Sequence, residues 1–246
     1  TITPPEPQPS ILNHETLYDG LYAYWELDES SGIRYDSHGS YDLSSINLVG
    51  QAVGIQDSSA DFENSSLNYL KRTSPSALIS NDLTISFWIK FESFASSNYD
   101  QRSIIGIWKN GRGSFLLQEY YHPDEGHKIR AYTSDNGNSL ISLKWIDNLA
   151  LDTWYHFVFT SDAGQYMKLY DNNSLVRTDC AANSIYSSND TYFGIGRTET
   201  GIYGTTTYLD AVVDEVGIWS RTLSAQEVTD LYLSLIHISE PTRPLH

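Results

Sequence analysis

The chain is predicted to be an all-β sandwich, and three observations predict it. Short segments alternate apolar and polar residues with the period of a strand, Gly, Asn and Asp punctuate them at regular intervals, and no strand–helix–strand alternation appears. Composition agrees. The 246 residues include 18 Tyr, 6 Trp and 8 Phe alongside frequent Thr and Ser, which suits pleated surfaces and allows one domain with a large core.

Residues 1–15 hold Pro4, Pro5, Pro7 and Pro9 and no periodicity; they read as an extended linker carrying the domain off something larger. Tyr22 to Leu27 is the first strand, ended by Asp28-Glu29-Ser30-Ser31-Gly32. A turn follows from Arg34 to Leu43 in which Asp36 and Asp42 flank Gly39, and it fits either an Asx-type turn or a cation-binding loop. Ala60 to Phe62 and Leu67 to Leu70 read as an early hairpin. Thr84 to Phe91 is the cleanest strand: Ile85, Phe87, Ile89 and Phe91 form the core face, while Trp88 projects oppositely, to pack under a loop or to serve as a sugar platform.

Ser103 to Trp108 and Ser114 to Gln118 form a hairpin around Lys109 to Gly113. The run from Glu119 to His127 reads as a long, polar, aromatic loop, the kind of segment where recognition concentrates. Lys128 to Thr133 pairs with Leu140 to Trp145. Tyr155, Phe157 and Phe159 then face the core, and His156 on the other face reads as a satisfied sheet histidine. Met167 to Tyr170 and Leu175-Val176 pair around Asn172-Asn173, residues that tolerate positive φ. Phe193 to Arg197 and a loop to Tyr208 lead to the closing strand. About a dozen strands result.

In the closing strand, a period of two puts Val212, Asp214, Val216 and Ile218 on one face and Val213, Glu215 and Trp219 on the other. Asp214 thus stands in an apolar row. A carboxylate there is costly to desolvate unless donors or a cation compensate it, and calcium, a hard ion partial to oxygen, is the natural candidate. Ser224 with Glu227 forms a capping box, with Leu223 and Val228 at the staple positions, so a short helix follows.

The run Val213-Asp214-Glu215-Val216-Gly217-Ile218-Trp219-Ser220-Arg221-Thr222-Leu223-Ser224-Ala225-Gln226-Glu227 resembles the closing signature of LamG-like domains, the laminin G and concanavalin A-like superfamily. Gly20 to Gly32, Leu83 to Lys90, Trp154 to Thr160 and Lys168 to Asp171 match in the expected order, so the resemblance spans residues 17–233 or so. It implies a two-sheet antiparallel jelly-roll sandwich over residues 16–233 with a short C-terminal helix. In the resembling families a loop like that of Asp36, Gly39 and Asp42 faces the closing strand at a calcium site, which implies a structural calcium held with Asp214; here His38 to Tyr41 replaces the families' usual Asn-Gly-Asn run. Residues 234–246 break with what precedes them and resemble an adapter read in frame, as at the end of a metagenomic fragment.

Fifteen basic against 31 acidic residues give a net charge of −16, which disfavours nucleic acid as a partner. Cys180 is the only cysteine, so no intrachain disulfide forms, and it reads as a small buried hydrophobe. No apolar run approaches the roughly 18 residues of a membrane span.

An enzyme on this fold would be a glycoside hydrolase with two carboxylates about 5 Å apart. The nearest match to the related glucanases' Glu-x-Asp-x-Glu strand is Glu26-Leu27-Asp28-Glu29-Ser30-Ser31. Serines stand where the second catalytic Glu could fall, so a non-catalytic module is expected. Its expected ligand is a glycan or cell-surface polymer, held by Tyr120, Tyr121, His122, Trp145, Arg197 and Tyr203 through aromatic faces and a few directed polar groups. The alternative is a structural or adhesive domain of a phage virion or bacterial surface protein, since the opening residues resemble LamG domains of such proteins; a glycosidase ranks last. Either reading places the domain outside the cell, on its surface or on a virion.

Overall fold

Two antiparallel sheets face each other in the computed structural model, which describes residues 15–97, 100–109, 112–137, 141–146, 149–181, 184–187, 191–199 and 208–236. The eight-stranded sheet runs β13 (Ser174–Cys180), β12 (Tyr166–Asp171), β11 (Trp154–Ser161), β6 (Leu83–Phe91), β15 (Ala211–Trp219), β4 (Ser58–Phe62) and β3 (Gly50–Val53), with β1 (Leu21–Trp25) also paired to β15. The seven-stranded sheet runs β10 (Ile141–Ile146), β9 (Gly126–Thr133), β8 (Arg112–His122), β7 (Gln101–Lys109), β14 (Tyr192–Ile195), β5 (Tyr69–Thr73) and β2 (Ser44–Ile46). The helices are α1 (Glu15–Tyr18) and α2 (Ala225–Ile236), the latter reaching three residues past the expected domain end.

Side chains of alternating strand positions meet between the sheets. Ile85, Phe87, Ile89 and Phe91 of β6 are buried there, as their period requires, against Phe157 and Phe159 of β11 and Phe115 and Leu117 of β8. Each such side chain contributes roughly 1.5–3 kcal/mol on burial. The outer face of the eight-stranded sheet is covered too. Leu223, Val228 and Leu231 of the α2 segment pack there on Trp88, Val158, Tyr170 and Trp219. The capping box forms: Glu227 N–H donates to Ser224 Oγ at 3.2 Å and Ser224 N–H to Glu227 Oε2 at 2.8 Å. Arg221 forks onto Glu227 and reaches the carbonyls of Thr16 and Asp19, which ties α2 to α1.

Trp88 packs rather than serving as a platform, stacked on His156 at 4.9 Å and on Tyr232 of α2 at 5.5 Å. His156 Nε2 lies 2.8 Å from Ser86 Oγ, and complete burial pushes the imidazole down to about 3, so it stays neutral.

Four expectations are corrected. Residues 60–62 and 67–70 do not pair, because β4 lies in one sheet and β5 in the other, across a short 3-10 turn at Asn64–Ser66. Cys180 ends β13, an edge strand with mostly outward residues, and is exposed. The run from Glu119 to His127 is not a long loop: β8 continues to His122 and β9 starts at Gly126, whose positive φ closes the turn. Finally, β15 bulges between Asp214 and Gly217, with Glu215 at φ 52°, and the inserted residue reverses the side-chain parity. Val213, Val216 and Ile218 therefore share the interior, while Asp214 lies outside beside Trp88.

Charge divides between the sheets. The seven-stranded sheet carries Lys71 and Arg72 on β5, Arg102 and Lys109 on β7, Arg112 on β8, Lys128 and Arg130 on β9 and Lys144 on β10, with Glu119 the only carboxylate in its strands. The other sheet carries Lys90, Lys168 and Arg177 against Asp61, Asp171, Asp179, Asp214 and Glu215.

Candidate functional site

Asp214 occupies a gap built by strand pairing. The first half of β15 pairs with β4 as far as Val213 opposite Ala60, and the second half pairs with β1 from Val216 opposite Trp25. Between these partners the ladder is open, and residues 54–57 fill the space. Ile55 and Gln56 N–H groups donate to Asp214 Oδ2 at 2.8 and 3.4 Å, while Oδ1 is buried without a hydrogen-bond partner among the described residues. A Cβ on Gly54 would lie 2.5 Å from Asp214 Oδ2, 2.6 Å from Gln56 O and against Ser58 O, so three oxygens crowd the Gly54 backbone and leave no room for a side chain. Burial pushes the Asp214 carboxyl well above the usual range, and Asp28 adds repulsion. Asp28 itself is raised, first by burial and then by Asp57 and Glu29, and it accepts from Ser58 N–H at 2.9 Å.

The loop of Asp36, Gly39 and Asp42 is folded as an Asx turn. Asp36 accepts backbone N–H groups of Tyr24 and His38 on Oδ1 and of Tyr41 on Oδ2, and Asp42 Oδ1 accepts from Asp36 N–H. Gly39 lies so close that a Cβ would stand 2.9 Å from Asp36 Oδ2. Asp36 thus takes three backbone donors, and the oxygens beside Asp214 come from residues 54–58, with Asp28 near enough to repel it. Next to Asp214, Glu215 is buried, accepts from Tyr24 O–H, and is pushed up to about 8 by desolvation. A separate trio, Asp61, Glu63 and Glu92, brings carboxylate oxygens within 4.8 Å of one another where β4 and β6 flank the start of β15. Burial first, then Asp61, Glu63 and Asp210, push Glu92 up to about 6.

The aromatic candidates separate. Tyr120 and Tyr121 are neighbours in a strand and so point to opposite faces. Tyr120 joins the outer face of the seven-stranded sheet, where the Arg130 guanidinium lies 3.7 Å over its ring. Tyr121 packs on His127, which bonds Glu119 at 2.8 Å and stacks on Phe94. His122 Nδ1 accepts from Asp124 N–H, closing the β8–β9 turn. Trp145 stands opposite Ile129 in the β10–β9 register; its side chain, and the whole of Tyr203, fall outside the described residues. Arg197 lies over two rings, Tyr208 at 4.8 Å and Tyr69 at 5.2 Å, and Tyr69 stacks on Tyr192.

The same outer face supplies residues that sequence reasoning passed over. Trp108, Leu116 and Tyr132 form its floor. Gln118 Nε2 donates to Gln101 Oε1 at 2.8 Å, while Gln118 Oε1 and Trp108 Nε1 are buried with no partner among the described residues. The available signal was the period of two in Leu116, Gln118 and Tyr120 and in Lys128, Arg130 and Tyr132, which places amide, aromatic and cationic groups on one surface of neighbouring strands.

A family model for the concanavalin A-like lectin/glucanases superfamily matches residues 64–229. The chain belongs to this superfamily. No curated protein matches it by sequence. Among solved structures, this superfamily member resembles a botulinum neurotoxin type C structure concerned with two ganglioside molecules (TM-score 0.69, 15% identity, 92% of this chain and 53% of that one). It also resembles the binding domain of botulinum neurotoxin DC in complex with SialylT (TM-score 0.67, 16% identity, 89% and 52%). The chain spans about half the length of these neurotoxin chains. Domain 4 of an extracellular GH43 arabinanase from Geobacillus stearothermophilus, solved with arabinotriose, is matched over 98% of its length and 86% of this chain (TM-score 0.63, 16% identity). No helix among the described residues is long and apolar enough to cross a membrane.

Proposed function

We propose that this domain is a non-catalytic glycan-binding module that works outside the cell and holds sugar on the outer face of its seven-stranded sheet. One observation carries the reading: tyrosine rings line that face, and at two separate places along β7 and β8 it holds hydrogen-bonding capacity left over among the described residues, at Trp108 Nε1 and at Gln118 Oε1. Polar atoms buried without partners are costly, and a ligand hydroxyl is one group that would satisfy both a donor and an acceptor. Half-buried Tyr192 and Tyr208 offer rings for C–H stacking. That a matched neighbour was solved with arabinotriose and another with a sialylated ligand supports the same class of ligand here. A glycan array tests it. Binding that fails in Gln118→Ala, with the fold intact by circular dichroism, is the expected outcome; silence across the array refutes the proposal.

We also propose that calcium orders the opposite sheet. Asp214, the carbonyls of Gln56 and Ser58, and Asp28 form the oxygen set that would hold it, and the ion would keep Asp214 ionised despite its burial. Metal bound only by the native state raises its stability by mass action. The melting temperature is therefore expected to rise with calcium in the wild type and not in Asp214→Asn; an equal rise in both refutes this assignment.

A further inference from the structure

The cations of the seven-stranded sheet's outer face are not used as cations in an acidic protein should be. With 31 carboxylates for 15 Lys and Arg, partners are plentiful. Yet Lys71, Arg130 and Arg197 lie on tyrosine rings and, among the described residues, meet no carboxylate: Lys71 over Tyr192 at 5.6 Å, Arg130 over Tyr120, Arg197 over Tyr69 and Tyr208. A guanidinium stacked on a ring is held in orientation while its N–H edge can meet a planar anion; Arg130 donates from Nη1 to Tyr132 Oη at 3.3 Å, which fixes it further and leaves its other N–H groups for that role. The remaining pair, Lys128 and Lys144 on adjacent strands, is bridged by one carboxylate, Glu125, which reaches back from the exposed β8–β9 turn. Lys128 first and then Lys144 hold that carboxyl down to about 2. Glu125 is thus an acid supplied by a turn residue to a face whose own strands carry no outward acid.

We propose that the ligand of this face is an anionic glycan, one bearing uronate carboxylates or sulfate esters, and that Glu125 is an internal stand-in for its anion. The proposal rests on the glycan-binding reading and narrows it. Arg130 on β9 lies three interstrand spacings from Tyr192 on β14 and four from Lys71 on β5, about 14 and about 19 Å at the usual spacing, so successive charges along an oligomer can be met together. An incoming carboxylate or sulfate displaces Glu125 from Lys128 and Lys144 and pairs with the oriented guanidinium groups. The chain's large negative charge excludes anions elsewhere and leaves this face as their landing area.

The test is titration of the full chain with polygalacturonate, heparin and linear arabinan at low and high salt. Binding to polygalacturonate or heparin that weakens with salt, drops about tenfold in Arg130→Ala and strengthens in Glu125→Gln is the expected result. Binding to polygalacturonate identifies carboxylate as a sufficient anion; binding to heparin that is lost on its desulfation identifies sulfate. If Glu125→Gln unfolds because Lys128 loses its partner, Lys144→Met, which frees Glu125 to neutralise Lys128 alone, is expected to weaken polyanion binding instead. Binding to arabinan with no preference for the charged polymers overturns the inference and leaves glycan recognition standing. Equal binding to single-stranded DNA overturns it too, since any polyanion would then serve.

Discussion

The outer faces of the two sheets are built from the same kinds of residue and treated in opposite ways. On the eight-stranded sheet, Trp88 and His156 form a three-ring cluster with Tyr232 of α2, the helix that is capped and pinned by Arg221. On the seven-stranded sheet, Tyr120, Tyr69 and Tyr192 carry cations over their rings, no helix among the described residues lies over them, and Arg130, Lys144 and Arg197 remain half-buried at its rim. Aromatic content alone therefore says nothing of recognition. What separates the two faces among the described residues is that a helix packs on one, while the other is flanked by half-buried cations.

Trp88→Ala offers the harshest way to break this contrast. It removes a buried ring under α2 and is expected to destabilise the fold by about 3–5 kcal/mol in urea titration, with glycan affinity of the folded fraction unchanged. A loss of affinity on that side would mean the two faces are not independent. The buried carboxyl of Glu215 gives the next largest effect. Its folded value of about 8 lies above the unfolded one, so the native state holds a proton that the unfolded chain has released between pH 5 and 8. Stability should fall as pH rises through that window, by roughly 1.4 kcal/mol per unit from this group, and Glu215→Gln should flatten the slope. Ser224→Ala removes the cap of the covering helix at about 1 kcal/mol, measured by thermal melting. The smallest stability change sharpens the comparison most. Trp88→Phe and Trp108→Phe each delete an unpartnered indole N–H, and each should leave stability within about 1 kcal/mol, but only Trp108→Phe should weaken sugar binding.

Much of the architecture was legible because one periodicity governed it. Ile85 to Phe91 declared an interior face, Ser224 and Glu227 declared a helix start, and Asn172-Asn173 declared a tight turn that indeed takes positive φ at both residues. Reading failed where a local pattern met a long-range partner. Glu119 to His127 looked like a loop because its polar residues are paired strand to strand rather than with neighbours in sequence, and the amide and indole of Gln118 and Trp108 carry no motif. The faces of β15 were misassigned because a bulge adds a residue where β15 changes partners from β4 to β1, which no single-strand pattern contains.

That extra residue has a further effect on how the domain tolerates change. Because Glu215 offsets the two halves of β15, the stretch before it and the stretch after it obey different phases, and the count of residues between Val213 and Val216 becomes a fixed quantity. Shortening it by one would swing Trp219 inward and Ile218 outward together, stripping the roof helix of its anchor. Variation in length is thus admissible at the hairpin tips and forbidden at the centre of the last strand.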